Sequence, residues 1–217
     1  AFRAAAPHTA VVAAGVAEGV VVIVEAPADV PALAGVEAVK ELVATVCAQL
    51  DGDGRLVAGL STICRTPADY VRAYAQARQV VQCLDTFHRA GSVDLLSADD
   101  LGAGRMFLAN ADADEAERFV EETLGGLLGD AVGGDLLLTL SSFFDHGRSI
   151  RWSAVDLGVH ENTVRYRLSR IEELTGLAVS GDSDAQLSAQ LALLVLRLQG
   201  RLPRRERTAV APAPDAQ

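Results

Sequence analysis

In the stretch GVHENTVRYRLSRIEELTG (158–176), an amide, a hydroxyl, a phenol and three guanidinium groups recur at helical spacing. On a 100° wheel Val164, Leu168 and Ile171, with Leu174 more loosely, share one side. Asn162, Tyr166 and Ser169 point the other way, with Arg165 and Arg170 on the flanks. Such groups suit the base edges and phosphates of a DNA major groove: asparagine can pair bidentately with adenine, and arginine with guanine or phosphate. No acidic residue interrupts the run between Asn162 and Ile171. The competing reading is an ordinary solvated helix whose arginines pair with Glu172 and Glu173, and what precedes the stretch decides against it.

Immediately upstream, SIRWSAVDL (149–157) predicts a second short helix, separated from the first by a glycine turn. Ala154 is small enough for the two helices to cross closely, and Gly158 can take a turn conformation that a Cβ would strain. Val159 and Val164 then pin the turn to the core. His160 occupies the cap position, where serine is the more usual residue. Two short helices on a tight glycine turn meet the requirement of a helix-turn-helix. The recognition helix is expected over about 161–174, with Glu161, Asn162, Thr163, Arg165, Tyr166, Ser169 and Arg170 toward DNA. Arg148 and Arg151, read as part of the preceding helix, are expected to hold the backbone, while Ala154, Gly158, Val159, Val164 and Leu168 form the structural side.

The elements that position this pair divide by type. TAVVAAGVAEGVVVIVEAP (9–27) reads as a β-hairpin. Val30, Leu33, Val36, Val39, Val43, Val46 and Leu50 then fall on one helical face, DGDG (51–54) is a turn, and RLVAGLST (55–62) is a strand. TPAD (66–69) starts a helix whose inner face is expected to be Val71, Tyr74, Ala77, Val81 and Leu84, and SVDLL (92–96) is a short strand. Alternation of this kind predicts an α/β or α+β domain built on one sheet. Asp112 caps a further helix, and beyond the glycine-rich 125–134 the strand signals end. Helices at LLLTLSSFF and DSDAQLSAQLALLVLRL complete the second part, the last facing inward through Leu187, Leu191, Leu194, Val195 and Leu198.

Charge follows the same division. The chain of 217 residues has a net charge of -10; residues 1–134 carry 19 acidic and 9 basic side chains, and residues 135–217 carry 10 of each. An acidic first part repels nucleic acid, so contact with DNA falls to the second. Half of the residues are hydrophobic, which suffices for a core. No apolar run approaches the roughly 18 residues of a membrane span, and no basic-then-apolar leader opens the chain. A cytoplasmic location and no membrane contact are expected of what reads as part of a longer protein. Three scattered cysteines argue for small buried residues rather than disulfides or a zinc site.

Residues 135–198 resemble the C-terminal helix-turn-helix domain of the PucR/CdaR family of bacterial transcriptional regulators. VHENTVRYRLSRIEELTGL carries the resemblance, with LLLTLSSFFDHG before it and AQLSAQLALLVLRL after. VVIVEAP through VDLLSADDLG, including GLSTICRTPADYVRAYAQARQVV, is similar to the GGDEF-like domain of CdaR-type members. The resemblance implies an α+β architecture: a GGDEF-like mixed α/β sheet domain over 1–130 and an all-α helix-turn-helix domain over 131–200, with a small-molecule effector whose identity stays open. Glycine content places a hinge about 125–134, and Pro/Ala-rich composition predicts a disordered tail at 201–217. Because one helix in one groove gives limited affinity, a homodimer or higher homo-oligomer on double-stranded DNA is expected. Three residues depart from the family pattern. Glu161 replaces a commonly basic residue and either reads a cytosine amino group or weakens binding; Trp152 is unusually bulky and is read as a packing anchor; Ser149 replaces a frequent asparagine.

Catalysis is not expected. A dinucleotide cyclase needs carboxylates for Mg²⁺ beside a glycine turn, and AGVAEGV offers Glu18 alone. DGDG is followed by Arg55 and Leu56, where a calcium loop needs a further ligand and glycine. The four histidines show no paired metal spacing, so neither metal nor cofactor is expected. The alternatives to DNA reading are a protein-interaction module and a degenerate nucleotide- or metabolite-sensing domain.

Overall fold

The computed structural model describes residues 9–17, 19–26, 31–50, 55–88, 94–108, 111–129 and 131–202. These form two compact units, one of residues up to Arg118 with Arg197–Gln199, the other of Phe119–Leu196 with the residues from Gly200 onward.

In the first unit, valine-rich β1 (Val11–Val16) and β2 (Gly19–Val24) pair as an antiparallel hairpin, Val11 opposite Val24 and Val16 opposite Gly19. Helix α1 (Ala32–Gln49) buries Val36, Val43 and Val46. Strand β3 (Ala58–Leu60) runs parallel to β4 (Leu95–Ser97), and a parallel pair needs a crossover. That crossover is α2 (Tyr70–Thr86), started by a 3-10 turn at Pro67–Asp69 with a capping box between Thr66 and Asp69. Short helices α3 (Ala98–Leu101) and α4 (Gly104–Leu108) follow.

Two expectations are corrected here. The single sheet is replaced, among the described residues, by two two-stranded ladders, the antiparallel hairpin and the parallel pair joined by the crossover. The inner face of α2 is turned by about one residue. Ala73, Val80, Cys83 and Leu84 are buried, while Val71 is 83% exposed and Tyr74 carries the Arg78 guanidinium over its ring at 5.8 Å. Alternative apolar stripes a residue apart are hard to rank from the sequence, and packing chose the smaller residue, Ala73.

Ser97 and Asp100 form a second capping box at α3, and Lys40 from α1 reaches the Asp100 carboxylate at 3.0 Å. Burial pushes Asp100 up, but hydrogen bonds from Ser97 and Lys40 outweigh it and hold the carboxyl below its usual value. The three cysteines are free thiols; Cys83 is buried, and desolvation raises it to about 11, while Cys47 and Cys64 are half-buried.

Helix α5 (Ala113–Leu124) is capped by Asp112, whose Oδ1 accepts from the N–H groups of Asp114 and Glu115. The second unit begins within it and continues through α6 (Ala131–Asp145), α7 (Ile150–Leu157), α8 (Glu161–Thr175) and α9 (Ser183–Leu198). The glycine-rich stretch at 125–134 opens in a 3-10 turn, Gly125–Leu127, whose Leu127 is buried. A Cβ on Gly126 would stand 2.5 Å from the Leu174 carbonyl oxygen, so glycine lets this turn lie against the end of α8.

The inner face of α9 is the expected one only in part. Val195 and Leu198 are buried as expected, but Leu187 is 57% exposed, and Ala185, Ala189, Ala192 and Leu196 complete the buried side. Alanines at i, i+4 and i+7 allow closer backbone approach than the leucine stripe would. Asp130, the turn at 51–54 and residues 203–217, expected as a tail, lie outside the described residues. Among the described residues no single helix is long and apolar enough to cross a membrane.

Candidate nucleic-acid interface

Helix α7 begins at Ser149, whose Oγ accepts the Trp152 N–H at 3.3 Å, so serine starts this helix as asparagine would. It ends at Gly158, which takes the left-handed conformation at φ 66° and ψ 30°. The Val159 N–H then donates to the Ala154 carbonyl, and His160 Nδ1 accepts the Asn162 N–H at 3.1 Å to start α8. Three residues thus join two helices that pack on each other and on α6.

The buried side of the pair is the expected one. Ala154, Val164 and Leu168 are inside together with Ile171, and Val159 is half-buried in the turn. Complete burial of an aliphatic side chain contributes about 1.5–3 kcal/mol, so these residues hold the turn's angle as well as the domain.

A second set of ties was not anticipated. Ser142 Oγ on α6 donates to Asp156 Oδ2 on α7 at 2.5 Å, with His146 Nδ1 3.9 Å from the same carboxylate. Arg167 leaves the exposed face altogether: it donates to Asp135 Oδ2 at 2.6 Å and to Thr139 Oγ1 at 3.2 Å on α6. The wheel holds a signal for this, since Arg167 lies three residues from Val164 and four from Ile171, beside the buried stripe.

On the outer side, Asn162, Arg165, Tyr166, Ser169 and Arg170 are exposed and share one surface of α8; Thr163 and Glu161 are half-buried at its start. Tyr166 is 70% exposed, which leaves its ring and hydroxyl free to meet a partner. Within the helix Arg165 pairs with Glu161 at 3.0 Å and Arg170 with Glu173 at 2.9 Å. Glu172, by contrast, accepts the Ser180 N–H. An exposed pair such as Arg170–Glu173 is worth at most about 1 kcal/mol, so a phosphate contact can replace it.

The two flanking arginines differ from each other. Arg148 does not belong to α7: it sits in the turn before it at φ 67°, donating to Gln186 Oε1 on α9 at 2.7 Å. Arg151 is on α7, exposed, and lies 5.9 Å from the ring of Trp152. Trp152 is itself 55% exposed and Val155 is 66% exposed, so the tryptophan is no packing anchor; position 152 faces away from the side that Ser153 and Ala154 bury. Among the described residues no group of three or more His, Cys, Asp or Glu could hold a metal ion.

A three-residue turn between packed helices, with one polar outer face on the second, defines a helix-turn-helix domain. Residues 136–195 match the PucR C-terminal helix-turn-helix domain and residues 1–83 match the GGDEF-like domain, so the chain has the two-part make-up of a PucR-type regulator. It is 29% identical over 141 residues to the purine catabolism regulatory protein of Bacillus subtilis, covering 64% of this chain and 26% of that one. With the transcriptional activator PmfR of Paenarthrobacter nicotinovorans it shares 38% identity over 71 residues, 32% of this chain and 15% of the other. A crystal structure of a regulator of polyketide synthase expression from Bifidobacterium adolescentis aligns at 25% identity and a TM-score of 0.36, covering 94% of this chain and 74% of that one. The chain spans less than half the length of the curated relatives it matches.

Proposed function

We propose that this chain regulates transcription by binding DNA sequence-specifically, as a homodimer, with α8 in the major groove. The observation that carries the reading is the outer face of α8, where Asn162, Arg165, Tyr166, Ser169 and Arg170 stand exposed opposite Val164, Leu168 and Ile171. Asparagine and arginine supply base readout, and Arg170 and Arg151 suit phosphates. One helix in one groove gives limited affinity, whereas two on a dimer, about 34 Å apart, read an inverted repeat. The relatives named as a regulatory protein and a transcriptional activator support the same reading.

In this view residues 1–130 assemble the dimer or receive a signal, 131–200 bind DNA, and the chain acts in the cytoplasm by binding rather than catalysis. The test is selection of bound duplexes from a randomised pool, read by fluorescence anisotropy at two salt concentrations. A recovered inverted repeat supports the reading. Weak binding to every duplex that vanishes at moderate salt would leave the arginines as a positive patch without base reading. A second reading, a protein-interaction module that reads no bases, is favoured by exposed Trp152 and Val155 on α7; it predicts that no DNA motif is selected and that a partner protein is lost in Trp152→Ala.

A further inference from the structure

The first turn of α8 contains a closed arrangement that the family resemblance does not supply, since it depends on the departing residue, Glu161. The Arg165 guanidinium is held twice: Nη2 donates to Glu161 Oε2 at 3.0 Å, and Nη1 donates to Asn162 Oδ1 at 3.1 Å. All three side chains lie at the start of the helix presented to the groove. We propose that Glu161 is a positioning residue that presents Arg165 to a guanine, rather than a residue that touches a base itself. The proposal rests on the base reading given above.

The donor inventory supports it. A guanidinium has five N–H donors in a rigid plane, and the two holds engage one on each terminal nitrogen. One donor on each terminal nitrogen and the Nε–H remain, and a guanine O6/N7 edge needs two of them. A long side chain normally loses rotamer freedom when it binds; one already clamped loses less, so the clamp adds discrimination at that base. The same clamp changes what Asn162 can read. With Oδ1 engaged by Arg165, Asn162 presents chiefly its NH₂ donor, and the donor-and-acceptor pairing that marks adenine is weakened.

The neighbouring arginines have no such arrangement. Arg167 is turned to Asp135 and Thr139 on α6, and Arg170 is held by Glu173, its one side-chain partner among the described residues. Charge alone would argue the other way, since a carboxylate near phosphates costs affinity on every sequence. Glu161 is therefore expected to lower affinity for all duplexes while raising preference for one base, and the two effects can be measured separately.

The experiment is selection and anisotropy on the full chain as wild type, Glu161→Gln, Glu161→Ala, Glu161→Ser and Arg165→Ala, with thermal melts of each. In the wild type one guanine is expected to be preferred by roughly ten- to a hundredfold, the range for a bidentate arginine. Arg165→Ala should lose that preference. Glu161→Gln, which keeps an acceptor of the same reach, should retain it. Glu161→Ala should lose most of it at that position only, and Glu161→Ser, which suits a helix start but cannot reach Arg165, should match Ala even if the alanine variant melts early. All three Glu161 variants should bind non-cognate duplexes a few-fold more tightly. If Glu161→Ala and Glu161→Ser keep the guanine preference, positioning is overturned while base reading stands. If the wild type selects no motif, base reading itself fails, and the proposal falls with it.

Discussion

The β1–β2 hairpin and the α7–α8 pair are both rich in aliphatic residues, yet they use them in opposite ways. In the hairpin Val12, Val16, Val20 and Ile23 are all at least 41% exposed. In the helix pair Val164, Leu168 and Ile171 are at most 3% exposed, and the polar residues stand opposite. The difference lies in pattern. GVVVIV is apolar at every position and so gives a strand two apolar faces, which a hairpin alone cannot cover. NTVRYRLSRI is apolar on one stripe only, and its own domain covers that stripe completely. Self-sufficiency is thus a property of α7–α8 that the hairpin lacks.

The sharpest way to break this comparison is to truncate one aliphatic residue in each place. Ile171→Ala is expected to destabilise the second unit by about 2–5 kcal/mol in urea unfolding. A loss below that range would mean the α8 stripe is less tightly packed than its burial indicates.

Next in size is Gly158→Val. It forces a β-branched residue into the left-handed region, at a cost of roughly 1–2 kcal/mol or more. A lowered melting temperature with loss of DNA binding is the expected result, and near-native values for both would show that the turn tolerates another conformation.

The arginines give a contrast within one helix. Arg167→Ala should cost about 1 kcal/mol of stability, as a partly buried pair to Asp135 and Thr139 discounted for solvent. Arg165→Ala should cost less than about 0.5 kcal/mol of stability, since its pairs are exposed, but about 1–3 kcal/mol of specific binding. Melting and anisotropy on the same two variants read both orders; if Arg167→Ala harms binding without harming stability, its assignment as a bridge to α6 is wrong.

In the first unit Asp100 offers a pH signature. Its folded pKa is depressed, so its stabilisation is full above the unfolded value of about 3.9 and is lost as pH falls through the folded one. Asp100→Asn should therefore melt lower than wild type at pH 7, and the gap should narrow below about pH 4. A gap that persists unchanged in acid would remove the carboxylate's charge from the explanation. The smallest effect is expected of Val20→Thr in the hairpin, within about 0.5 kcal/mol, because Val20 is 70% exposed. A larger loss would show that something covers that face in solution.

The same contrast explains what the sequence made legible. The turn, its glycine, the His160 cap and the α8 stripe were readable because each depends on residues within four positions of one another. The α2 face was not, since Val71 and Tyr74 offer an apolar stripe almost as good as Ala73 and Val80, and only packing ranks them. The single sheet expected of the first domain failed for a related reason: strands without alternation carry no record of which neighbour they pair with. Arg167 was hidden by distance, its partners lying 28 and 32 residues upstream, though its place beside the buried stripe was a usable sign.

The histidine at the start of α8 has one more consequence. A serine hydroxyl can rotate to cap a helix whatever its surroundings, but an imidazole that accepts a hydrogen bond at Nδ1 must carry its proton on Nε2. Capping by His160 therefore selects one tautomer of the ring and leaves an N–H donor at Nε2, so the start of this helix is set by where a single proton resides.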